Sequence, residues 1–269
     1  MNLTVNGHSV YAYTGGKPFD AAKPSVVFIH GVLNDHSVWI LQSRWFAHHG
    51  WNVLAIDLPG HCTSGGTPPA RVEEAAQFVV ALLDAAGIER AALVGHSFGS
   101  LIALEAAARA PGRVSHLAMV GTAYPMKVSP ALLEASLNEP QKAIAMVNTF
   151  SHSMLAPPPS SLGPGTWLYG SSRALMRRVL NSNREANVFH VGFNACNNYA
   201  NGEAAIDALR CPVLFLLGKG DQMTLVSMAQ PLIARAGNAK VATVQAGHAL
   251  MTEAPDEVLF ALADFLNAR

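Results

Sequence analysis

The 269-residue chain predicts an α/β fold: a mostly parallel, doubly wound sheet that opens with an antiparallel hairpin and carries one helical insertion. Three observations predict it. Short, almost wholly apolar runs recur along the chain, as strands covered on both faces require. Segments with one-face helical spacing alternate with them, which implies right-handed crossovers. Apolar residues make up 50% and charged residues only 13%, so a large core forms and global disorder is excluded.

The elements follow in order. Leu3 to Val5 and Ser9 to Tyr13 flank Asn6-Gly7, a dipeptide that readily takes the left-handed conformations of a two-residue hairpin turn. Buried strands are predicted at Val26 to Ile29, Val53 to Ile56, Ala91 to Val94, Leu117 to Val120, Val213 to Leu217 and Val241 to Val244. Helices are predicted over His36 to His48, Glu73 to Ala86, Leu101 to Arg109, Leu225 to Ala236 and Asp256 to Asn267. The last starts behind Pro255 and places Val258, Leu259, Leu262, Phe265 and Leu266 on one face.

Alternation stops between Tyr124 and Leu209. Helical patterns there (Ala131 to Met146, Ser172 to Leu180) surround the proline-rich stretch Ala156 to Gly165, and no strand is evident. Because this region begins after one core strand and ends before another, it reads as an insertion. Residues 1–123 and 210–269 then form the core, and 124–209 the insertion.

Charge narrows the partners. Eighteen basic and eighteen acidic residues cancel, and no basic tract exists to neutralise a run of phosphates, so nucleic acid is not expected as a partner. A charge-poor surface near its pI of about 7.2 favours association, which leaves a homo-oligomer open. The three cysteines lack zinc-ligand spacing and point to a reducing cytoplasm. No leader or membrane span is expected.

The chemistry begins where the strand at Ala91 to Val94 runs into Gly95-His96-Ser97-Phe98-Gly99 and then a helix. A strained strand-to-helix elbow needs small residues two positions either side of its serine, and glycines stand there. A serine hydroxyl is a weak nucleophile at neutral pH; an imidazole must take its proton and a carboxylate must hold that imidazole. Among eleven histidines, His248 follows the final strand in Ala246-Gly247-His248, at the edge where ligands bind in open α/β sheets. Asp221 sits just past the preceding strand in Leu217-Gly218-Lys219-Gly220-Asp221. Asp57 also follows a strand, but it precedes the serine, and Asp57-Leu58-Pro59-Gly60-His61 reads as a structural loop.

These residues resemble the α/β-hydrolase superfamily. Four segments match in order: His30-Gly31, Asp57 to His61, the elbow at Ser97, and Gly247-His248 with Glu253 and Pro255 behind it. The resemblance implies an esterase-like serine hydrolase with Ser97, Asp221 and His248 as nucleophile, acid and base, and with the amides of Val32 and Phe98 as oxyanion hole. Cys62 departs from the glycine of many relatives. Serine at the elbow, where dehalogenases and epoxide hydrolases carry aspartate, points to acyl transfer, for which no cofactor or metal is expected. The resemblance also makes residues 124–209 a lid. Leu33, Tyr124, Met126, Met154, Trp167, Phe193, Met223 and Leu250 are expected to line an apolar pocket beneath it. The expected substrate is a small carboxylic ester, with a thioester or lactone as variants. The alternatives are C–C bond hydrolysis or cofactor-free perhydrolysis on the same triad, or a non-catalytic small-ligand receptor.

Overall fold

The computed structural model describes residues 1–20, 22–153, 167–237 and 239–268. Asn6 and Gly7 both adopt positive φ (51° and 82°), closing the hairpin between β1 (Asn2–Val5) and β2 (His8–Tyr13). The strands β3 (Ser25–Ile29), β4 (Asn52–Ile56), β5 (Ala91–His96), β6 (Val114–Val120), β7 (Val213–Gly218) and β8 (Ala239–Val244) complete an eight-stranded sheet in the order β1-β2-β4-β3-β5-β6-β7-β8. The pairs from β4 to β8 are parallel and the hairpin is antiparallel. Every residue of β3, β4, β5 and β7 is buried, which is why these strands read as continuous apolar runs.

Helices cover both faces. On one lie α1 (Ile40–His48) and the C-terminal α11 (Pro255–Leu266), around Phe28, Trp39 and Phe46. On the other lie α2 (Val72–Ala85) and α3 (Phe98–Arg109), packed on Ile29, Leu54 and Leu93. A 3₁₀ turn at His36–Trp39 precedes α1, so the helix predicted from His36 starts as a tighter turn. The helix predicted over Leu225 to Ala236 is likewise reduced to a 3₁₀ turn and the four-residue α9 (Gln230–Ile233), with Pro231 in its first turn.

Between β6 and β7 the described residues contain helices only: α4 (Pro130–Asn138), α5 (Pro140–Ser151), α6 (Leu168–Ser182), α7 (Val188–Asn198) and α8 (Gly202–Asp207). The single helix predicted over Ala131 to Met146 is two, because Pro140 lacks the N–H that would continue α4 and starts α5 instead. Helices α7 and α8 are not in the sequence-based expectation. Leu132, Ile144, Met176, Val179, Phe189 and Phe193 give α4 to α7 their own apolar cluster.

Candidate active site

The order of strands reverses around β3, so the loops after β3 and β5 diverge and leave a crevice at the carboxyl edge of the sheet. His30-Gly31-Val32 leaves β3 there, and Ser97 follows β5. Ser97 adopts φ 52°, ψ −119°, a strained conformation for a residue with a side chain, at the start of α3. The turn closes because its neighbours are glycines. A Cβ at Gly95 would meet the Ser100 nitrogen at 2.6 Å, and one at Gly99 would meet the His30 carbonyl oxygen at 2.6 Å. A Cβ at Gly31 would lie 3.2 Å from that of Ser97, so the loop carrying Val32 passes against the elbow. Phe98 is the first residue of α3, and its N–H therefore has no partner within the helix. Its side chain is buried in the core.

His248 and Asp221 come together from the loops after β8 and β7. His248 Nδ1 lies 2.8 Å from Asp221 Oδ2, with both side chains nearly inaccessible. The carboxylate is fully engaged. Its Oδ1 accepts the Met223 and Thr224 N–H groups, both at 2.8 Å, and its Oδ2 also accepts the Thr224 hydroxyl at 2.7 Å. Burial pushes the Asp221 carboxyl up, but the neighbouring His248 and the Thr224 hydrogen bonds more than offset it and hold the group below the ordinary carboxylate value. An ionised carboxylate at this distance fixes the imidazole proton on Nδ1, leaving Nε2 able to accept. Ser97 and His248 both line one cavity of about 510 Å³. No hydrogen bond joins the Ser97 hydroxyl to His248, a contact that in serine hydrolases often tightens only as substrate binds.

Neighbouring histidines hold the frame. Burial and the nearby His248 lower His96 to about 3, so it is neutral, and its Nε2–H donates to the His248 carbonyl at 2.8 Å. His30, also kept neutral by burial, donates from Nδ1 to the Gly31 carbonyl and accepts the Leu58 N–H on Nε2 at 3.1 Å. It ties the loop after β3 to the loop after β4.

A family model described as alpha/beta hydrolase fold matches residues 24–255, which is most of the chain. The chain belongs to the alpha/beta hydrolase fold family. Over 258 residues this hydrolase-fold chain is 28% identical to the pimeloyl-[acyl-carrier protein] methyl ester esterase of Aromatoleum aromaticum, covering 91% of this chain and 99% of that one. It is 39% identical over 114 residues to the dihydrolipoyllysine-residue acetyltransferase component of the acetoin cleaving system of Cupriavidus necator, a match that spans 41% of this chain but only 28% of that protein. Among solved structures, the enol-lactonase of Burkholderia xenovorans LB400 superposes with a TM-score of 0.82 over 100% of both chains at 21% identity, which is a likeness of fold.

The cavity is lined differently from the expectation. Val32, Phe193 and Met223 face it, together with Val147, Leu168, Met176, Arg178 and Met251. Five expected residues do not. Leu33, at φ 57°, turns into the cluster of α4 to α7. Tyr124 is bonded through its hydroxyl to the Ala200 carbonyl at 2.7 Å, and Met126 packs in the cluster on the α2/α3 face of the sheet. Leu250, the first residue of a short helix α10 (Leu250–Glu253), points into the core while the next residue, Met251, reaches the cavity. Trp167 is 57% exposed, stacked on Tyr169 with Arg173 over its ring, and is not among the lining residues. Met154 lies outside the described residues. Thr224, which touches both Asp221 and His248, is also a site residue that sequence reasoning missed; its signal was a hydroxyl three residues after Asp221, the spacing of an Asx-type turn.

Asp57 belongs to a second polar knot. It receives His36 through both N–H and Nδ1, and Thr63 through N–H and hydroxyl, while Asp35 accepts Ser37 and pairs with Arg178 at 2.5 Å. Asp35, His36 and Asp57 bring potential metal-ligand atoms within 4.8 Å of one another, but the oxygens are already taken by these donors. Cys62 sits beside them at φ 46°, in the left-handed region that favours glycine, and burial raises its thiol to about 12, which keeps it protonated. Burial pushes the Asp35 carboxyl up, yet the hydrogen bonds of Ser37 and the charge of Arg178 bring it down to about 2. A folded-state value below the ordinary 3.8 stabilises the protein above pH 3.8, and this stabilisation is lost as pH falls towards 2. Asp35→Asn is expected to flatten the stability–pH curve by about 2 kcal/mol over that window, measured by urea unfolding; an unchanged slope refutes the assignment.

Among the described residues, no helix is long and apolar enough to cross a membrane.

Proposed function

We propose that this chain is a serine hydrolase of carboxylic esters with an apolar acyl or alkyl part, working through Ser97, His248 and Asp221 and an acyl-enzyme. The observation that carries this reading is the 2.8 Å His248–Asp221 bond aimed at a cavity that also holds the strained Ser97. In the mechanism, His248 Nε2 takes the proton as Ser97 Oγ attacks the acyl carbon, and Asp221 stabilises the imidazolium that results. The Val32 and Phe98 amides hold the oxyanion, helped by the positive end of α3. The imidazolium then protonates the leaving alcohol, and water repeats the sequence on the acyl-enzyme. The full-length relationship to a methyl ester esterase agrees with this chemistry.

Helices α4 to α7 act as the lid in this reading, with residues 124–209 as the cap and the rest as the catalytic core. The cavity volume of about 510 Å³ suits a medium-chain acyl group, and Val147, Leu168, Met176 and Phe193 supply an apolar lining. Phe193→Ala is expected to leave kcat/KM for p-nitrophenyl acetate nearly unchanged and to lower it for longer acyl chains. Burying one methylene is worth about 0.8 kcal/mol, so each one that no longer meets an apolar wall costs roughly fourfold. A series of C2 to C12 esters tests this. A uniform fall across the series would mean that Phe193 supports the fold rather than the acyl site. Trp167→Ala, outside the cavity, is expected to leave the ranking of esters intact.

A further inference from the structure

Glu253 closes α10, five residues after His248, and the mechanism above gives it no task. Its two oxygens face different parts of the molecule. Oε1 accepts the N–H of Gly247, the residue before His248, at 3.2 Å. Oε2 accepts the N–H of Ser153 at 3.1 Å and also the Ser153 hydroxyl, just past the end of α5. On the other side of His248, the Ala249 N–H donates to the Ser151 carbonyl at 2.9 Å. Both residues flanking the imidazole are therefore tied to the segment Ser151 to Ser153, one directly and one through this carboxylate.

The packing leaves no slack. A Cβ at Gly247 would lie 2.6 Å from the Ser153 nitrogen and 2.7 Å from the Ser151 oxygen, so a backbone meets a backbone there. The loop of the acid is in the same contact. Gly220, next to Asp221, donates to the Ala246 carbonyl at 2.9 Å, and a Cβ on it would lie 2.8 Å from Ser153 Cβ. Three donors converge on Glu253, and only a carboxylate offers acceptors on both of its arms at once.

On the reading of His248 as the base, the geometry points to Glu253 as a positioning residue: with Ser153 it fastens the His248 loop to the end of α5, so that seating the interposed helices and orienting the imidazole are one event. A side chain placed one bond length off line loses about two orders of magnitude in rate. Glu253→Gln keeps the shape and replaces one acceptor by a donor, which breaks one arm. It is expected to lower kcat for p-nitrophenyl acetate about 10- to 100-fold, with KM within about threefold, at a temperature well below its unfolding midpoint. Ser153→Ala removes only the hydroxyl arm and is expected to lower kcat severalfold. The double variant is expected to be no worse than Glu253→Gln, because both break one link.

The test is steady-state kinetics of the parent, both single variants, the double variant and His248→Ala, with thermal unfolding of each. Parent-like kcat in folded Glu253→Gln, or additive losses in the double variant, would overturn the inference. If Glu253→Gln does not fold, Ser153→Ala decides alone, and unchanged kcat there overturns it. Loss of activity in His248→Ala beside unchanged Glu253→Gln sinks only this inference, whereas an active His248→Ala sinks the base assignment itself.

Discussion

Ser97→Ala is expected to lower kcat for p-nitrophenyl esters by about 10⁵- to 10⁶-fold while the protein stays folded. The size follows from what the hydroxyl does in the proposed reaction: without it there is no acyl-enzyme, and His248 and the amides are left with whatever they add to direct attack by water. Stability is expected to change by less than about 0.5 kcal/mol. The side chain faces the cavity rather than the core, and alanine experiences the same strained φ of 52° that serine does. Circular dichroism and urea unfolding separate a dead site from an unfolded one. Ester turnover near the parent level in folded Ser97→Ala would mean that another group carries the reaction.

Asp221→Asn is expected to cost on the order of 10⁴ in kcat, as the corresponding change does in trypsin. The direction can be argued from the hydrogen bonds. Oδ1 accepts two backbone N–H groups, from Met223 and Thr224, so an introduced amide must keep its oxygen there. Its NH₂ then faces His248 Nδ1, where Oδ2 stood, and donates to it. The imidazole proton is driven to Nε2, the position that must accept the proton of Ser97. The base is present but in the wrong tautomer. Asp57→Asn makes the contrast, because its carboxylate serves His36 and Thr63 rather than His248; it is expected to reduce stability and leave kcat of the folded protein within a few fold. If the two effects were exchanged, the acid would be Asp57.

Much of this architecture was legible in the chain. The hairpin announced itself through Asn6-Gly7, and the buried parallel strands through apolar runs with no polar face. The elbow was legible because strain at Ser97 leaves room only for glycine at positions 95 and 99. Helix α7 was not, since Gly192, Asn194, Asn197 and Asn198 are poor helix formers; tertiary contact overrides propensity there, and Gly192 is small where a Cβ would lie 3.2 Å from Val32. The pocket lining was the least legible part. Whether Leu33 or Val32, and Leu250 or Met251, reaches the cavity depends on a difference of one residue in a loop or short helix, and apolar character is the same for both. Tyr124 and Met126 satisfied the same composition argument while packing into the core, Tyr124 against Gly202 of α8.

The measurement that bears most directly on the central claim is covalent labelling by a fluorophosphonate, which phosphonylates a serine only where an imidazole base and an oxyanion site activate it. Intact-mass and peptide-mass spectrometry would locate the adduct. The account predicts one adduct per chain, on the peptide that contains Ser97, with labelling lost in Ser97→Ala and slowed by orders of magnitude in His248→Ala. A folded parent protein that takes no label, or takes it on another serine with Ser97 unmodified, would contradict it.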